Sequence, residues 1–497
     1  MSEVILFAKD HPRATLSRLA EQGAIVRIAR GVYVRSTVEP EKAVARYWHD
    51  IIGYLVPGGV ITDRSARTGG PANGVLYLAS QGKWRVIELP GIRVAIRSGS
   101  EALEGDIALP GGLYLASRPR ALLENSLPSR SVSGMPRRTL TEQELEDWID
   151  RLAYIEGLDR LEHYREQFTD LATTLEIPRE NVVHLKRLIG SALGSQQVKA
   201  ASSALDARQR GLPYDPDRIA RFGILAVELA KHGDQSHPAT FDEPRWRSLP
   251  FFEAYFSNYI EGTEFTLDEA LDVVYENKIP SGRPQDSHDL IGTYEIVSDK
   301  SEMSRLASSA DEFMEILRYR HSIVLGGRKE SNPGMFKLMP NRAGKSLFVD
   351  PALVEGTLRM GFEHLGELDT PWQRATYVMF LVSEVHPFDD GNGRMARIMM
   401  NAELTAGNQA RIIIPTVFRD DYLGGLRRFT RDNDPSVLVT ALRYAHDYTA
   451  GIDFSDVPTA TSQLEQTYAF DEPDSPRRLI LPSNVASDLS LKARLGL

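Results

Sequence analysis

The chain contains 497 residues, of which 42% are hydrophobic and 25% are charged, and its formal net charge is −10. This composition is that of ordinary globular proteins, and the length suffices for about three domains. The absence of cysteine excludes disulfides, zinc thiolate sites and thiol catalysis, and the negative charge argues against polyanion binding by the whole molecule. No stretch approaches the ~18 apolar residues of a membrane span, and the N-terminus lacks a signal-peptide pattern. We therefore expect a cytoplasmic protein with no membrane partner.

The first 50 residues predict a winged helix-turn-helix. We expect a short N-terminal helix, a second helix over residues 13–20, and two strands over residues 24–28 and 32–35. Six basic residues stand against three acidic ones before residue 36, so this segment is mildly basic in an acidic chain.

The pattern Leu16-x-x-Leu19-x-x-x-Gly23, followed by Val26-x-Ile28-x-Arg30-Gly31-Val32-Tyr33, resembles the N-terminal winged helix of AbiEi-type antitoxins. Residues 51–135, which predict a small α/β region, are similar to the segment next to the winged helix in that family. The resemblance implies a DNA-binding autorepressor. It makes four arginines of the second helix and the wing the candidate DNA contacts, namely Arg13, Arg18, Arg27 and Arg30. A winged helix that binds protein or acts as a spacer is the alternative.

The middle of the chain predicts helices, and its end predicts a tail. Thr141 and Glu144 form a capping box before helices that continue to about residue 232, so we interpret residues 136–240 as a helical connector. Residues 241–455 predict one mainly helical domain, with a capping box at Thr266. Residues 456–497 are rich in Ser, Thr, Asp, Glu and Pro, which predicts a poorly ordered tail with a short helix near residues 486–495.

The residues from His386 to Arg397, His-Pro-Phe-Asp-Asp-Gly-Asn-Gly-Arg-Met-Ala-Arg, predict a loop between two helices. Thr370 and Pro371 start the first helix, and an apolar stripe beginning at Met395 marks the second. The glycines and the N–H groups that open the second helix suit a bound phosphate. His386, with an unperturbed pKa of about 6.5, suits deprotonation of a hydroxyl, and Asp390 suits Mg²⁺. Together these groups indicate transfer from a nucleotide to a hydroxyl.

The string His-x-Phe-x-Asp-Gly-Asn-Gly-Arg-x-x-Arg matches in full the signature of the Fic family, which this chain resembles. Fic proteins are mostly adenylyltransferases that move AMP from ATP to a serine, threonine or tyrosine of a protein. A glycine at position 391 favours AMP transfer over phosphate transfer, because the phosphotransferring Doc branch of the family typically carries lysine there. The resemblance implies these roles: His386 as base, Phe388 as buried anchor, Asp390 as Mg²⁺ ligand, an anion hole at Gly391, Asn392 and Gly393, and outer-phosphate contacts at Arg394 and Arg397.

A second motif lies upstream of the signature. Ser257-Asn-Tyr-Ile-Glu261-Gly262 resembles the inhibitory motif that some Fic proteins carry on a helix N-terminal to the catalytic core. Pro250 suits the start of that helix, and Ser257 and Glu261, four residues apart, share one face. The resemblance implies that Glu261 pairs with Arg397 and obstructs the γ-phosphate of ATP.

Residues 332–350 predict a β-hairpin around the turn residues 341–344. At the corresponding place, Fic proteins have a flap that aligns the target by strand addition. The resemblance makes Met335, Phe336, Lys337 and Leu338 the candidate flap residues, although Lys337 stands where arginine is usual. A plain surface hairpin is the alternative.

We therefore predict a mainly α fold: an all-helical Fic core with a hairpin flap, preceded by the winged helix and the α/β region. The predicted activity is AMP transfer from ATP, with Mg²⁺, to a protein hydroxyl, held back by Glu261. Two alternatives stay open, namely removal of AMP with Glu261 positioning water, and a DNA-binding regulator or toxin–antitoxin fusion in which the Fic site senses nucleotide. A homodimer is a further expectation.

Overall fold

A computed structural model describes residues 4–132, 134–233, 236–344 and 346–485. The described chain is mainly helical, as the sequence predicts, with two β-sheets near its N-terminus and a short hairpin further on. It divides into two compact units, Met1–Gly211 and Leu212–Leu497. Among the described helices, none combines the length and the apolar content that crossing a bilayer requires. The short helix predicted near residues 486–495 lies outside the described residues.

The first unit contains two sheets and a group of helices. Its strands are β1 (Ile5–Phe7), β2 (Ile25–Ala29), β3 (Val32–Arg35), β4 (Val60–Ile61), β5 (Val75–Ser80), β6 (Arg85–Leu89), β7 (Ile92–Ser98), β8 (Ile107–Ala108) and β9 (Tyr114–Leu115). Its helices are α1 (Arg13–Glu21), α2 (Pro40–Leu55), α3 (Asp63–Thr68), α4 (Arg118–Asn125), α5 (Glu142–Ile155), α6 (Leu158–Thr174), α7 (Arg179–Ala192) and α8 (Ser203–Gln209).

The N-terminal sheet has the order β1-β3-β2, with antiparallel neighbours. The prediction of a first short helix is wrong, because Ile5–Phe7 forms strand β1 and α1 is the single helix between residues 4 and 39. Leu6 is buried in one apolar cluster with Leu16 and Ile25. A three-residue apolar run is too short for a stable helix, and pairing with β3 satisfies its backbone instead. Residues 4–39 therefore form a small sheet with one supporting helix, and α2 follows from Pro40.

The larger sheet has the order β6-β7-β5-β4-β9-β8. β5 runs parallel to β7 and β4 runs parallel to β9, whereas the other neighbours are antiparallel. β5 is buried along almost its whole length, as expected for a strand covered on both faces. Beyond the sheet, the helices α4 to α8 contribute to a further apolar core that includes Trp148, Phe168 and Leu185.

The second unit is helical apart from one hairpin. Its helices are α9 (Pro216–Ala230), α10 (Leu249–Ile260), α11 (Leu267–Glu276), α12 (Pro284–Ser298), α13 (Lys300–Met303), α14 (Ala310–Val324), α15 (Val354–Glu363), α16 (Pro371–Val385), α17 (Asn392–Ala406), α18 (Arg419–Asp432), α19 (Ser436–Gly451) and α20 (Val457–Gln466). The hairpin strands are β10 (Arg342–Ala343) and β11 (Ser346–Leu347).

α16 and α17 form the centre of this unit. Both are buried almost all round, which is typical of helices inside a large core. Thr370 caps α16 as predicted, because its hydroxyl accepts from the N–H of Gln373 at 3.2 Å and Pro371 follows at the first helical position. The capping boxes predicted at Thr141 and Thr266 are also formed. The loop between α16 and α17 is thereby carried by two rigid elements.

Two predicted boundaries differ from the structure. The compact units divide after Gly211 rather than near residue 240, because α9 packs in the core of the second unit, where Phe222 contacts Phe380 of α16. The prediction of a poorly ordered tail is wrong for residues 457–485. These residues include α20, and Leu464 is fully buried and Phe470 stacks on Phe256, so a few apolar side chains order a segment of otherwise polar composition.

Candidate active site

His386 follows the last residue of α16 and adopts a left-handed backbone conformation, with φ of +52°. Its imidazole stacks on Phe348 with ring centroids 3.6 Å apart, and its Nδ1 lies 3.3 Å from the carbonyl oxygen of Ser383. Because a carbonyl only accepts, Nδ1 carries the proton and Nε2 keeps its lone pair. Burial lowers the pKa of His386 to about 4, so the neutral form that accepts a proton prevails at pH 7.

The loop after His386 is closed by the side chain of Asn392. This amide accepts from the N–H of Phe388 and donates to the carbonyl of Phe388, both at 2.8 Å. The Phe388 ring is fully buried. Gly391 has φ of +73°, where a side chain is strained, and a Cβ there would crowd Leu325. Asn392 therefore builds the loop with its side chain, and the backbone N–H groups that open α17 remain as donors for an anion.

Arg394 is buried and held by protein partners. Its Nη1 donates to a carboxylate oxygen of Asp289 at 2.6 Å and lies 3.3 Å from the amide oxygen of Asn258. The same oxygen of Asp289 also accepts from Nε of Arg328 at 2.7 Å. The family resemblance implies an outer-phosphate contact for Arg394, whereas the structure engages this guanidinium in a buried network with Asp289 and Asn258.

Arg397 is also buried, with 4% of its surface exposed, and its partners come from α10. Its Nε donates to the hydroxyl of Ser257 at 3.0 Å, and its Nη2 donates to the carbonyl of Ser257 at 2.9 Å and to Oε1 of Glu261 at 2.7 Å. Glu261 is the residue that ends α10. A Cβ on Gly393 would overlap the Glu261 carboxylate, so this carboxylate lies directly against the first turn of α17.

Asp390 is the half-exposed carboxylate of the loop. Its Oδ1 accepts from the N–H of Gly391 at 2.7 Å, and its Oδ2 lies 3.8 Å from the Arg394 guanidinium. Within the described residues, no group of three or more histidine, aspartate or glutamate side chains is arranged to hold a metal. Asp390 therefore fits a hard cation only if water or phosphate oxygens supply the other ligands, which is the usual coordination of Mg²⁺.

A cavity of about 440 Å³ opens between the loop, the hairpin and α18. His386, Gly393, Arg397 and Glu261 line it together, whereas Asp390 and Arg394 do not. Its apolar side is formed by the side chains of Phe348, Tyr422, Leu423 and Leu426. The volume and the mixed lining are those of a pocket for a small organic ligand with an anionic group.

Comparison with known families indicates which family the region around this loop resembles. Residues 314–404 match the sequence profile of the Fic/DOC family. We call this region the Fic domain. Residues 1–36 match the profile described as a transcriptional regulator, AbiEi antitoxin.

The curated relatives of the chain are Fic adenylyltransferases. Protein adenylyltransferase fic-1 of Caenorhabditis elegans is 25% identical over 198 residues, which cover 37% of this chain and 39% of the relative. Protein adenylyltransferase Fic of Nematostella vectensis is 28% identical over 268 residues, which cover 50% of this chain and 58% of the relative. The chain thus spans less than two thirds of the length of these relatives.

Solved structures of Fic proteins are also similar. Fic-1 of C. elegans, residues 134–508, matches at 16% identity and a TM-score of 0.36, covering 62% of this chain and 86% of that chain. A Fic domain containing signaling protein from Bacteroides thetaiotaomicron matches at 20% identity and a TM-score of 0.35, covering 46% of this chain and 92% of that chain.

The flap of the Fic domain differs from the prediction. The paired strands comprise residues 342–343 and 346–347 only, so Met335, Phe336, Lys337 and Leu338 precede the hairpin instead of forming its first strand. Met335 and Leu338 are exposed, whereas Phe336 and Lys337 are buried. Asn341 lies just before β10, and its side-chain amide donates to the carbonyl of Phe388 at 2.9 Å.

Lys337 supports the loop that begins at His386. Its Nζ donates to the carbonyl of His386 and to the amide oxygen of Asn341, both at 2.7 Å, and its backbone N–H donates to the carbonyl of Pro387 at 2.9 Å. Burial lowers the pKa of Lys337 to about 8. Lys337, which stands where the family pattern has arginine, thus fixes the backbone at His386.

Sequence reasoning missed His321. Its ring stacks on Phe388 at a centroid distance of 3.7 Å and 5° between planes, Nδ1 accepts from the N–H of Gly334 at 2.9 Å, and Nε2 donates to the carbonyl of Asp390 at 3.1 Å. Burial lowers the pKa of His321 to about 4. A histidine near a helix end has no local sequence signal for this role, because its partners are 13 and 69 residues away.

The four N-terminal arginines predicted to contact DNA lie in the first unit. Arg13 and Arg18 are on α1, Arg27 is on β2, and Arg30 is in the turn before β3. All four are exposed, and Nε of Arg27 donates to the carbonyl of Ala29 at 3.2 Å. The structure thus leaves these side chains at the surface of the small N-terminal sheet.

Proposed function

We propose that the Fic domain transfers AMP from ATP to a hydroxyl side chain of a protein, and that Glu261 holds this activity back. The observation that carries the proposal is one cavity in which a neutral histidine, the opening turn of α17 and the Glu261–Arg397 ion pair meet. The curated relatives, which are protein adenylyltransferases, support the reaction class.

In the proposed step, the hydroxyl oxygen of the target forms a bond to the α-phosphorus of ATP. The bond from that phosphorus to the bridging oxygen of the β-phosphate breaks, and pyrophosphate leaves. Nε2 of His386 takes the hydroxyl proton: the Nδ1 hydrogen bond to the carbonyl of Ser383 orients the ring, and the lowered pKa keeps it unprotonated before the step. The N–H groups that open α17 stabilise the charge of the phosphate oxygens, so positioning and electrostatics supply most of the catalysis.

A bound Mg²⁺ would neutralise charge on the phosphates in this site. Asp390 would hold it through the carboxylate oxygen that faces away from the Gly391 N–H. Asp390 is half-exposed, and the described residues contain no group of three or more acidic or histidine side chains that could hold a metal. This arrangement fits a cation that arrives with the nucleotide.

Glu261 accounts for the proposed inhibition. Its carboxylate pairs with Arg397 and lies against Gly393, where the outer phosphates of ATP need the same guanidinium and the same space. Two anions do not share one buried guanidinium without a large repulsive cost. ATP therefore binds productively only when Glu261 moves away.

The target protein would dock at the hairpin. Ala343 and Ser346 line the cavity beside His386, and Leu347, Leu338 and Met339 expose 66%, 83% and 72% of their surfaces. An exposed strand edge with apolar neighbours suits an extended peptide, whose hydroxyl would then enter beside the base.

The test is transfer of label from ATP to protein. Wild-type chain, Glu261→Gly, His386→Ala and the double variant are incubated with Mg²⁺ and ATP labelled at the α-phosphate, and parallel reactions contain ATP labelled at the γ-phosphate. We expect α-label on protein to rise at least about tenfold in Glu261→Gly, equivalent to ~1.4 kcal/mol, and to vanish in the double variant. Glu264→Gly removes an exposed glutamate three residues away and is the matched control. The proposal fails if Glu261→Gly carries no α-label, or if γ-label appears instead.

A second candidate reaction is removal of AMP from a modified protein. Glu261 shares the cavity with His386, so its carboxylate is placed to position a water for attack on a phosphorus atom. In this case wild-type chain releases AMP from a labelled target and Glu261→Gly does not. An increase in release on removing Glu261 excludes this candidate.

For the first unit, we propose DNA binding through the exposed arginines, supported by the match of residues 1–36 to a transcriptional regulator. Arg13 and Arg18 stand on one helix, Arg27 on β2 and Arg30 in the turn before β3, so exposed guanidinium groups are available to DNA phosphates. The Fic domain would then act as a nucleotide sensor in a regulator. Sequence-selective binding that weakens with salt and is lost in the Arg13→Ala and Arg18→Ala double variant tests this assignment, and binding that persists in the double variant contradicts it.

A further inference from the structure

The first unit contains a second cavity, of about 510 Å³, between α3 and α5. Four arginines line it, Arg64, Arg67, Arg118 and Arg151, against one carboxylate, that of Glu156. We call it the arginine cavity. Arginines converging on a concave space are typical of sites for phosphate or carboxylate ligands, because the guanidinium fork matches those oxygens.

Arg67 presents its guanidinium to solvent inside the arginine cavity. It lies on α3 and is half-buried, and among the contacts of the described residues its guanidinium has no hydrogen bond and no ion pair. Burial lowers the pKa of Arg67, the carboxylates of Glu144 and Asp147 raise it, and the charges of Arg151 and Arg64 lower it further. A half-buried guanidinium without a protein acceptor suits the oxygens of a bound anion.

Two of the other arginines are fixed in place. Arg64 donates to both oxygens of Glu144, at 2.6 and 2.8 Å, and to the carbonyl of Arg137 at 2.9 Å. Arg118 donates to Glu156 at 3.1 Å. Their guanidinium groups are therefore held at the rim of the cavity before any ligand arrives, which reduces the entropic cost of binding.

Apolar side chains also line the arginine cavity. Leu140, Trp148, Leu152 and Ile155 line it, and Ile155 exposes 61% of its surface although it is a large aliphatic residue. A cavity lined by both cationic and apolar side chains suits a ligand with two different ends. Inorganic phosphate would use only one of them.

We propose that the arginine cavity binds a small phosphate-bearing molecule of mononucleotide size, with its phosphate on Arg67 and its planar or apolar part against Leu152 and Ile155. The volume lies within the range of about 300–1,000 Å³ that small-molecule pockets occupy, and the concave shape favours a small ligand over a DNA duplex. This site belongs to the first unit and does not depend on the activity of the Fic domain.

The experiment is equilibrium dialysis of the full chain with radiolabelled AMP and, separately, with radiolabelled inorganic phosphate. The variants are Arg67→Gln, Arg67→Lys and the matched control Arg85→Gln, which removes an exposed arginine of β6 in the same unit. Any AMP held by the Fic domain is common to all of them, so the difference between variants reports the arginine cavity. Thermal unfolding of each variant verifies that the fold is retained.

We expect wild type and Arg85→Gln to bind one more equivalent of AMP than Arg67→Gln, whose affinity at this site falls by roughly ten- to a hundredfold. Arg67→Lys keeps the charge but not the fork and binds with intermediate affinity. If inorganic phosphate binds as tightly as AMP and this binding is lost in Arg67→Gln, the cavity recognises the phosphate group alone. That outcome supports the anion site. Equal AMP and phosphate binding in wild type and Arg67→Gln overturns the proposal. So does duplex DNA that binds through Arg67 while AMP does not.

Discussion

The ion pair between Glu261 and Arg397 predicts a coupled effect on stability and nucleotide binding. Glu261→Gln keeps the shape of the side chain and removes its charge. Arg397 then keeps its two hydrogen bonds to Ser257 but faces only neutral partners in a buried position. We expect the second unit to lose stability and to regain it when ATP supplies phosphate oxygens to the same guanidinium.

The size of the loss follows from burial. Removing one partner of a fully buried ion pair costs about 3–5 kcal/mol. The Glu261 side chain is 29% exposed, so water screens part of the pair, and we expect about 2–3 kcal/mol. For a unit of this size, each kcal/mol of lost stability lowers the unfolding midpoint by roughly 2–4 °C, so we expect the midpoint to fall by about 5–10 °C.

The assay is thermal unfolding of wild type, Glu261→Gln and the control Glu264→Gln, each without nucleotide, with Mg²⁺ and ATP, and with AMP. A ligand at about one hundred times its dissociation constant stabilises by about 2.7 kcal/mol. ATP should therefore raise the midpoint of Glu261→Gln by several degrees more than that of wild type, whereas AMP, which lacks the outer phosphates, should raise both equally. If ATP stabilises wild type as much as Glu261→Gln, Glu261 does not compete for the phosphate site and the reasoning is refuted.

Three further outcomes are expected from the second unit. Because burial lowers the pKa of His386 to about 4, the rate of label transfer by Glu261→Gly should stay level from pH 8 to pH 6 and fall only near pH 4; a fall centred at pH 6.5 would contradict this. His446 is buried, with a pKa lowered to about 4, so the unfolded chain binds more protons between pH 6.5 and pH 4, and the urea midpoint should drop as pH falls through that window. Between pH 7 and pH 5, we expect the free energy of unfolding to fall by about 2 kcal/mol less in His446→Gln than in wild type. Equal falls in the two proteins would contradict this expectation. Gly391→Ala should lower both stability and label transfer, because the backbone there is left-handed and the added methyl meets Leu325, and unchanged unfolding and transfer would argue against this packing.

Local chemistry made part of this structure predictable. Thr141, Thr266 and Thr370 begin helices because a hydroxyl followed three residues later by a glutamate or glutamine satisfies the first free N–H groups, whatever the rest of the fold does. The helix–loop–helix around His386 is similarly local. These elements could be placed from residues within one or two turns of each other.

Contacts between distant residues were not predictable in the same way. Arg394 meets Asp289, 105 residues earlier, and no pattern near either residue indicates that pair. Ile5–Phe7 is a strand because β3 is available to it, and α20 is ordered because Leu464 finds a core. Such outcomes depend on tertiary packing, which composition and periodicity do not contain.

The two arginines of α17 explain why inhibition would be reversible without unfolding. Arg394 is held by Asp289, which also binds Arg328, so its release would expose a buried carboxylate network. Arg397 is held by one carboxylate that stands at the end of α10, followed by Gly262 with φ of +87°. Rotation of the Glu261 side chain breaks one charged hydrogen bond and leaves Ser257 and α10 in place. In the proposed mechanism, Arg397 is therefore the arginine that changes partner, whereas Arg394 keeps the helix and the loop in register.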